Sequence, residues 1–158
     1  MKIVPTPPGG LAIYLEFGEE WSMLTGILRD ARTPGFDLVE QVGGKMAGTA
    51  DAADWAEFVL PDLREGFDQH LKTVLKGIES ARFEAAGGPG TVSIPAAEMF
   101  DWYATLNQAR LALESRYHFG TGPLGGSFAK VDPERLTAYY RSQFYCAVQS
   151  HLLDYGME

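Results

Sequence analysis

The chain has 158 residues, 46% hydrophobic and 22% charged, which fits one globular domain with its own core and excludes wholesale disorder. Against 13 basic side chains stand 21 acidic ones, a net charge of −8 that argues against a nucleic-acid partner, because phosphate binding draws on surplus Lys and Arg. The single cysteine, Cys146, excludes an intrachain disulfide and suits a reducing compartment; its expected role is a small apolar filler on a helix.

At the N-terminus, Lys2 to Val4 and Leu11 to Phe17 read as two strands about a turn of prolines and Gly9-Gly10, the second alternating Leu11, Ile13 and Leu15 with Ala12 and Tyr14. Pro5, Pro7 and Pro8 confine the first strand to an edge and break any apolar stretch of signal-peptide length. Glu19 to Arg32 reads as a helix with Trp21, Leu24, Ile27, Leu28 and Ala31 on one face, stopped by Pro34 and Gly35. From Phe36 to Ala50 the pattern is ambiguous, with two helical turns around Leu38, Val39 and Val42 as one reading. Asp51 to Leu60 predicts a short helix and Pro61 to Phe83 a longer one, whose buried stripe is Leu63, Phe67, Leu71, Val74, Ile78 and Ala81. Gly87 to Gly90 reads as a loop.

The next helix starts near Ile94-Pro95 and ends by Gly120. Met99, Trp102, Tyr103, Leu106, Leu113 and Tyr117 share its apolar sector, and Arg110 projects into that same sector. Because Arg keeps its charge, Arg110 either snorkels to the rim or meets a carboxylate inside the protein; Glu20, in the first turn of the first helix, is the expected partner, with Glu16, Asp68 and Asp154 behind it. A second glycine-rich loop, Gly120 to Ala129, leads to a last helix opened by Asp132 as N-cap and Pro133 in its first turn, with Val131 stapled on Leu136. Leu136, Tyr140, Phe144, Ala147, Val148 and Tyr155 form its predicted core stripe. Tyr139 and Tyr145 flank that stripe, so the helix is apolar around most of its girth, which predicts either full burial or a homodimer contact through it.

The helix carrying Trp-x3-Leu-Asn-x2-Arg-Leu-x-Leu (Trp102, Leu106, Asn107, Arg110, Leu111, Leu113), together with Leu15, Glu20 and Leu24, resembles an uncharacterised bacterial family of actinobacterial type. Glu114 and Ser115 stand where that family's pattern has a small residue or Gly and a Thr. The resemblance implies a fold and no assigned activity; because the family's gene tends to lie near the one for the ClpS protease adaptor, it also implies a link to regulated proteolysis.

Residues 120–127 match the spacing GxGxxG and approach a P-loop with Gly126 in place of its Lys. Both motifs need a strand before the glycines and a helix after them, and here a helix comes first, so the stretch reads as a connector or a lid. No Glu-x-x-His pair precedes His70, His118 or His151, and three scattered histidines with one cysteine make no zinc constellation; neither a metal nor a cofactor is expected. His151 reads as a semi-core histidine bonded to a hydroxyl or carbonyl, with a general-base role as the sharper alternative. No Gly-x-Ser-x-Gly elbow occurs and no catalytic residue is assigned.

The expected architecture is mainly α, a bundle of about five helices over residues 19–156 with a small N-terminal β-hairpin over residues 1–17, in a single domain. The uncharged runs are too short and too rich in Gly and Pro to span a bilayer, which suits a cytoplasmic protein without a membrane partner. The leading functional expectation is a non-enzymatic protein-interaction or scaffold module of unknown specificity. Its rival is an enzyme or small-ligand binder with a pocket lined by Arg110, His151, Tyr140 and Asn107.

Overall fold

The computed structural model describes residues 1–44, 48–84, 88–119 and 132–156. Strand β1 (Lys2–Thr6) and strand β2 (Gly10–Leu15) form the N-terminal hairpin, paired from Lys2↔Tyr14 to Thr6↔Gly10. Gly9 takes φ +89° in the turn between them, a conformation open to glycine at no steric cost. The hairpin belongs to a larger sheet. Strand β3 (Arg82–Phe83) and strand β4 (Gly90–Ile94) extend it to four antiparallel strands in the order β1-β2-β4-β3, with β4 paired to β2 from Leu11↔Ile94 to Leu15↔Gly90.

Helix α1 spans Gly18–Ala31 and helix α2 spans Leu38–Gly44. Helix α3 (Ala52–Asp54) runs through a π-helical stretch, Trp55–Val59, into helix α4 (Leu60–Glu79), so the two helices predicted there are continuous. Helix α4 stops four residues before Phe83, which lies in β3 rather than in the helix. After a 3₁₀ turn at Ala96–Glu98, helix α5 covers Met99–Tyr117, and helix α6 covers Pro133–Gly156. The α6 N-terminus is capped as its sequence predicts, the Asp132 carboxylate accepting from the Arg135 N–H at 3.0 Å. The predicted Val131 staple and the 120–129 connector or lid lie outside the described residues.

One face of the sheet and four helices share a single apolar cluster. Leu11, Ile13 and Leu15 of β2 and Val92 and Ile94 of β4 join Leu24 and Ile27 of α1, Leu71 and Val74 of α4, Trp102 and Leu106 of α5, and Tyr145, Val148 and Leu152 of α6. Each fully buried aliphatic here contributes about 1.5–3 kcal/mol. Helices α4 and α5 approach closely because Gly77 has no side chain: a Cβ there would stand 2.9 Å from the Trp102 ring.

Helix α6 departs from its predicted phase. Its buried residues are Ala138, Ser142, Tyr145, Val148, Gln149 and Leu152, whereas Tyr140 and Tyr155 are exposed and Phe144, Ala147 and His151 half-buried. Of the predicted core stripe, Val148 lies in the core and Phe144 packs against it, whereas Tyr140 and Tyr155 lie outside, so the buried face is turned from the predicted one by more than a quarter turn at 100° per residue.

Candidate functional site

The most buried ionic group of the described residues joins α1 to α6. Asp30, 4% exposed, sits between Ile27 and Ala31 on the apolar face of α1. Its carboxylate accepts from Arg141 Nε at 2.7 Å and Nη2 at 3.3 Å, and from the Tyr145 hydroxyl at 2.8 Å. Arg141 and Tyr145 are four residues apart, one helical turn, so a single carboxylate meets both. Burial and the neighbouring Asp30 charge push the Tyr145 phenol far above its ordinary range. For Arg141, burial works against the charge, but the hydrogen bonds and charge of Asp30 outweigh it and raise the guanidinium above its usual value. Arg29 adds a longer contact to Asp30, 3.4 Å from Nε.

Arg110 and Glu20, predicted as an ion pair, are not brought together. The antiparallel register Lys2↔Tyr14 carries the N-terminal amine to the start of α1, where it pairs with Glu20, whose carboxylate also accepts from the backbone N–H groups of Glu16 and Phe17. Burial opposes the Glu20 charge, but these partners together hold its carboxyl below the usual range. Arg110 turns to α6 instead. Its Nη1 donates to Gln149 Oε1 at 2.6 Å, while its buried Nε has no hydrogen-bond partner. Gln149 completes the link by donating to the Tyr103 carbonyl at 3.2 Å. An amide therefore takes the place given to a carboxylate, and of the fallback acids Glu16, Asp68 and Asp154 are all exposed.

His151 adopts the plain geometry: Nδ1 lies 2.8 Å from the Ala147 carbonyl, a contact made by the Nδ1–H tautomer. Asn107 is half-buried on α5 and Tyr140 is exposed on α6. The three largest clefts described are lined by none of Arg110, His151, Tyr140 and Asn107. One of about 450 Å³ lies beside Lys2, Tyr14, Glu16 and Glu84 on the sheet, and one of about 390 Å³ lies between the ends of α1, α5 and α6. Among the described residues, no three His, Cys, Asp or Glu side chains group as metal ligands, and no helix is long and apolar enough to cross a membrane.

What remains is a surface. Tyr140, Phe144, Ala147, His151 and Tyr155 follow one another at four- and three-residue steps along α6; the two end tyrosines are 51% and 52% exposed, Ala147 and His151 are half-buried, and Phe144 is half-buried with its ring against the core. From Ser142 to Leu153 the helix carries no Asp, Glu, Lys or Arg. Sequence reasoning found these residues and gave them to the core; it missed Asp30 and Arg141, although an acid between two core positions of α1 signals a buried partner.

These features define a mainly α domain built on a small antiparallel sheet, with polar ties inside its last helix and an apolar stripe outside it. The chain belongs to the DUF2017 family, a domain of unknown function, whose model matches residues 9–155. Neither a curated protein nor a solved structure matches the chain.

Proposed function

We propose that the protein is a non-enzymatic protein-interaction module that docks through the outer stripe of α6, with a second copy of the chain as the occupant. The supporting observation is the run Tyr140, Ala147, His151, Tyr155, exposed at its two ends and half-buried between them, about 22 Å long at 1.5 Å per residue, with Phe144 anchoring it to the core. Rows of apolar side chains at this spacing are what helix-in-groove and helix-on-helix contacts use as anchors. A two-fold axis across the stripe sets it against itself, and the uncharged segment from Ser142 to Leu153 lets two chains of charge −8 approach there without opposing like charges. A link to regulated proteolysis belongs to the same reading and would make the further partner a component of that machinery.

Light scattering at micromolar concentration tests self-association. A dimer that Ala147→Glu converts to a folded monomer is the expected result. A strict monomer at all accessible concentrations, or a dimer indifferent to Ala147→Glu and Tyr140→Asp, overturns the docking face. A pull-down with wild type and Ala147→Glu side by side then reads whether further partners use the same stripe.

A further inference from the structure

Away from the α6 stripe, the cleft of about 390 Å³ between the C-terminal ends of α1 and α5 and the start of α6 has a charge opposite to that of the chain as a whole. Three guanidiniums line it, Arg29, Arg116 and Arg141, against two carboxylates, Asp30 and Glu134, in a protein of net charge −8. The arginines are spent unequally. Arg141 is fixed on Asp30 through Nε and Nη2. Arg29 shares Asp30 at 3.4 Å and leaves 70% of its side chain exposed. Arg116, 54% exposed, donates to Glu134 at 3.0 Å, and the Tyr117 hydroxyl donates to the same Glu134 oxygen at 2.5 Å.

Glu134 thus stands at the cleft as a tethered anion on two donors, and its own side chain is largely in solvent. Swinging it out leaves Arg29, Arg116 and Arg141 facing Asp30 alone, an excess of two positive charges that a dianion neutralises. Planar guanidinium forks suit a phosphoryl group, which carries between one and a half and two negative charges near neutral pH. Leu113, Pro34 and the Tyr117 ring supply an apolar wall for whatever the phosphoryl group is attached to. We infer that this cleft is a binding site for a small phosphate monoester, with Arg29, Arg116 and the Tyr117 hydroxyl as its donors, Arg141 as its fixed cation and Glu134 as the internal competitor that the ligand displaces.

Isothermal titration of the full chain at constant ionic strength, with phenyl phosphate, inorganic phosphate and phenyl sulfate as probes, tests this. Phenyl phosphate is expected to bind at one saturable site, more tightly than inorganic phosphate and about tenfold more tightly than the monoanionic phenyl sulfate. Arg29→Ala and Arg116→Ala, both at exposed positions, should each weaken phenyl phosphate by about tenfold, and Glu134→Gln should tighten it, while Glu40→Gln on α2 leaves it unchanged. Circular dichroism confirms that each variant is folded. Equal affinity for inorganic phosphate and phenyl phosphate identifies the free ion as the ligand and overturns the ester. Absence of saturable binding at millimolar probe, binding untouched in the Arg29→Ala/Arg116→Ala double variant, or weaker binding in Glu134→Gln overturns the site. None of these readouts depends on the oligomeric state, so the result stands apart from that of the α6 stripe.

Discussion

Replacing Asp30 by Ala removes the one carboxylate that both Arg141 and Tyr145 use, and the structure fixes what is left behind. The Arg141 guanidinium keeps only 15% of its side-chain exposure and loses its two hydrogen bonds, at 2.7 and 3.3 Å, to the only acid it reaches among the described residues. Breaking a buried pair from one side costs about 3–5 kcal/mol, because the remaining charge is stranded in low dielectric. The Tyr145 hydroxyl, on a residue with no exposed surface, loses its acceptor as well, which places the expectation at the upper end of that range. For a domain of this size the melting temperature should fall by about 6–20 °C. Urea titration followed by circular dichroism measures the free energy directly. The triple variant Asp30→Leu/Arg141→Met/Tyr145→Phe removes every stranded group together and should recover much of the loss. Arg29→Ala, at an exposed position, should cost under about 1 kcal/mol. A loss below about 1 kcal/mol for Asp30→Ala, or a triple variant no more stable than the single one, refutes the reasoning.

Two further outcomes follow from the same geometry. The Tyr145 pKa is raised in the folded state, so above about pH 10 the folded chain holds a proton that the unfolded chain releases, and stability falls as pH rises from there; Glu20 is lowered, so its contribution is full above its ordinary value of 4.5 and is lost as pH falls through the folded value. Stability measured against pH should therefore lose part of its alkaline slope in Tyr145→Phe and part of its acid slope in Glu20→Gln. Because Glu20 and Arg110 bind different partners, a double-mutant cycle of Glu20→Gln with Arg110→Met should give a coupling within about 0.5 kcal/mol of zero, whereas Arg110→Met with Gln149→Leu should couple measurably through the hydrogen bond they share.

The helices were legible where apolar spacing and packing agree. Trp102, Leu106 and Leu113 recur on one face of α5 and are buried there, and Asp132 caps α6 where the sequence places it. Strand β4 was missed: Thr91-Val92-Ser93-Ile94 alternates polar and apolar residues as a half-buried strand does, but the segment is only five residues long, follows a glycine-rich stretch and runs almost directly into the α5 start, which left the signal weak. Its pairing with β2, which sets Val92 opposite Ile13 and Ile94 opposite Leu11, and with β3 on the other side fixes it as a strand. The Glu20 pairing failed for a similar reason, since the amine that takes Glu20 arrives through the β1–β2 register. Side-chain chemistry alone ranks Arg110 above a chain terminus.

The phase of α6 carries the strongest lesson about which force decides. Hydrophobicity alone favours burying Tyr140 and Tyr155, yet the helix leaves both half in solvent and buries a face that sets Ser142 and Gln149 among Ala138, Tyr145, Val148 and Leu152. That inner face holds the polar ties, Arg141 and Tyr145 on Asp30 and Gln149 between Arg110 and the Tyr103 carbonyl, and rotating the helix by more than a quarter turn would strand Asp30 and the Arg110 guanidinium in the core. On this reasoning the polar ties set the rotation, and Tyr140 and Tyr155 are left in solvent. If so, removing the ties should release the helix. In a Cys146→Ser background, a thiol placed by Tyr140→Cys should react rapidly with a maleimide in the otherwise native chain. It should react several-fold more slowly once Asp30→Leu, Arg141→Met, Arg110→Met and Gln149→Leu are combined, both proteins being read at a concentration where they are monomeric. Equal rates in two folded proteins would show that packing of the inner face fixes the phase of α6 without help from its polar groups.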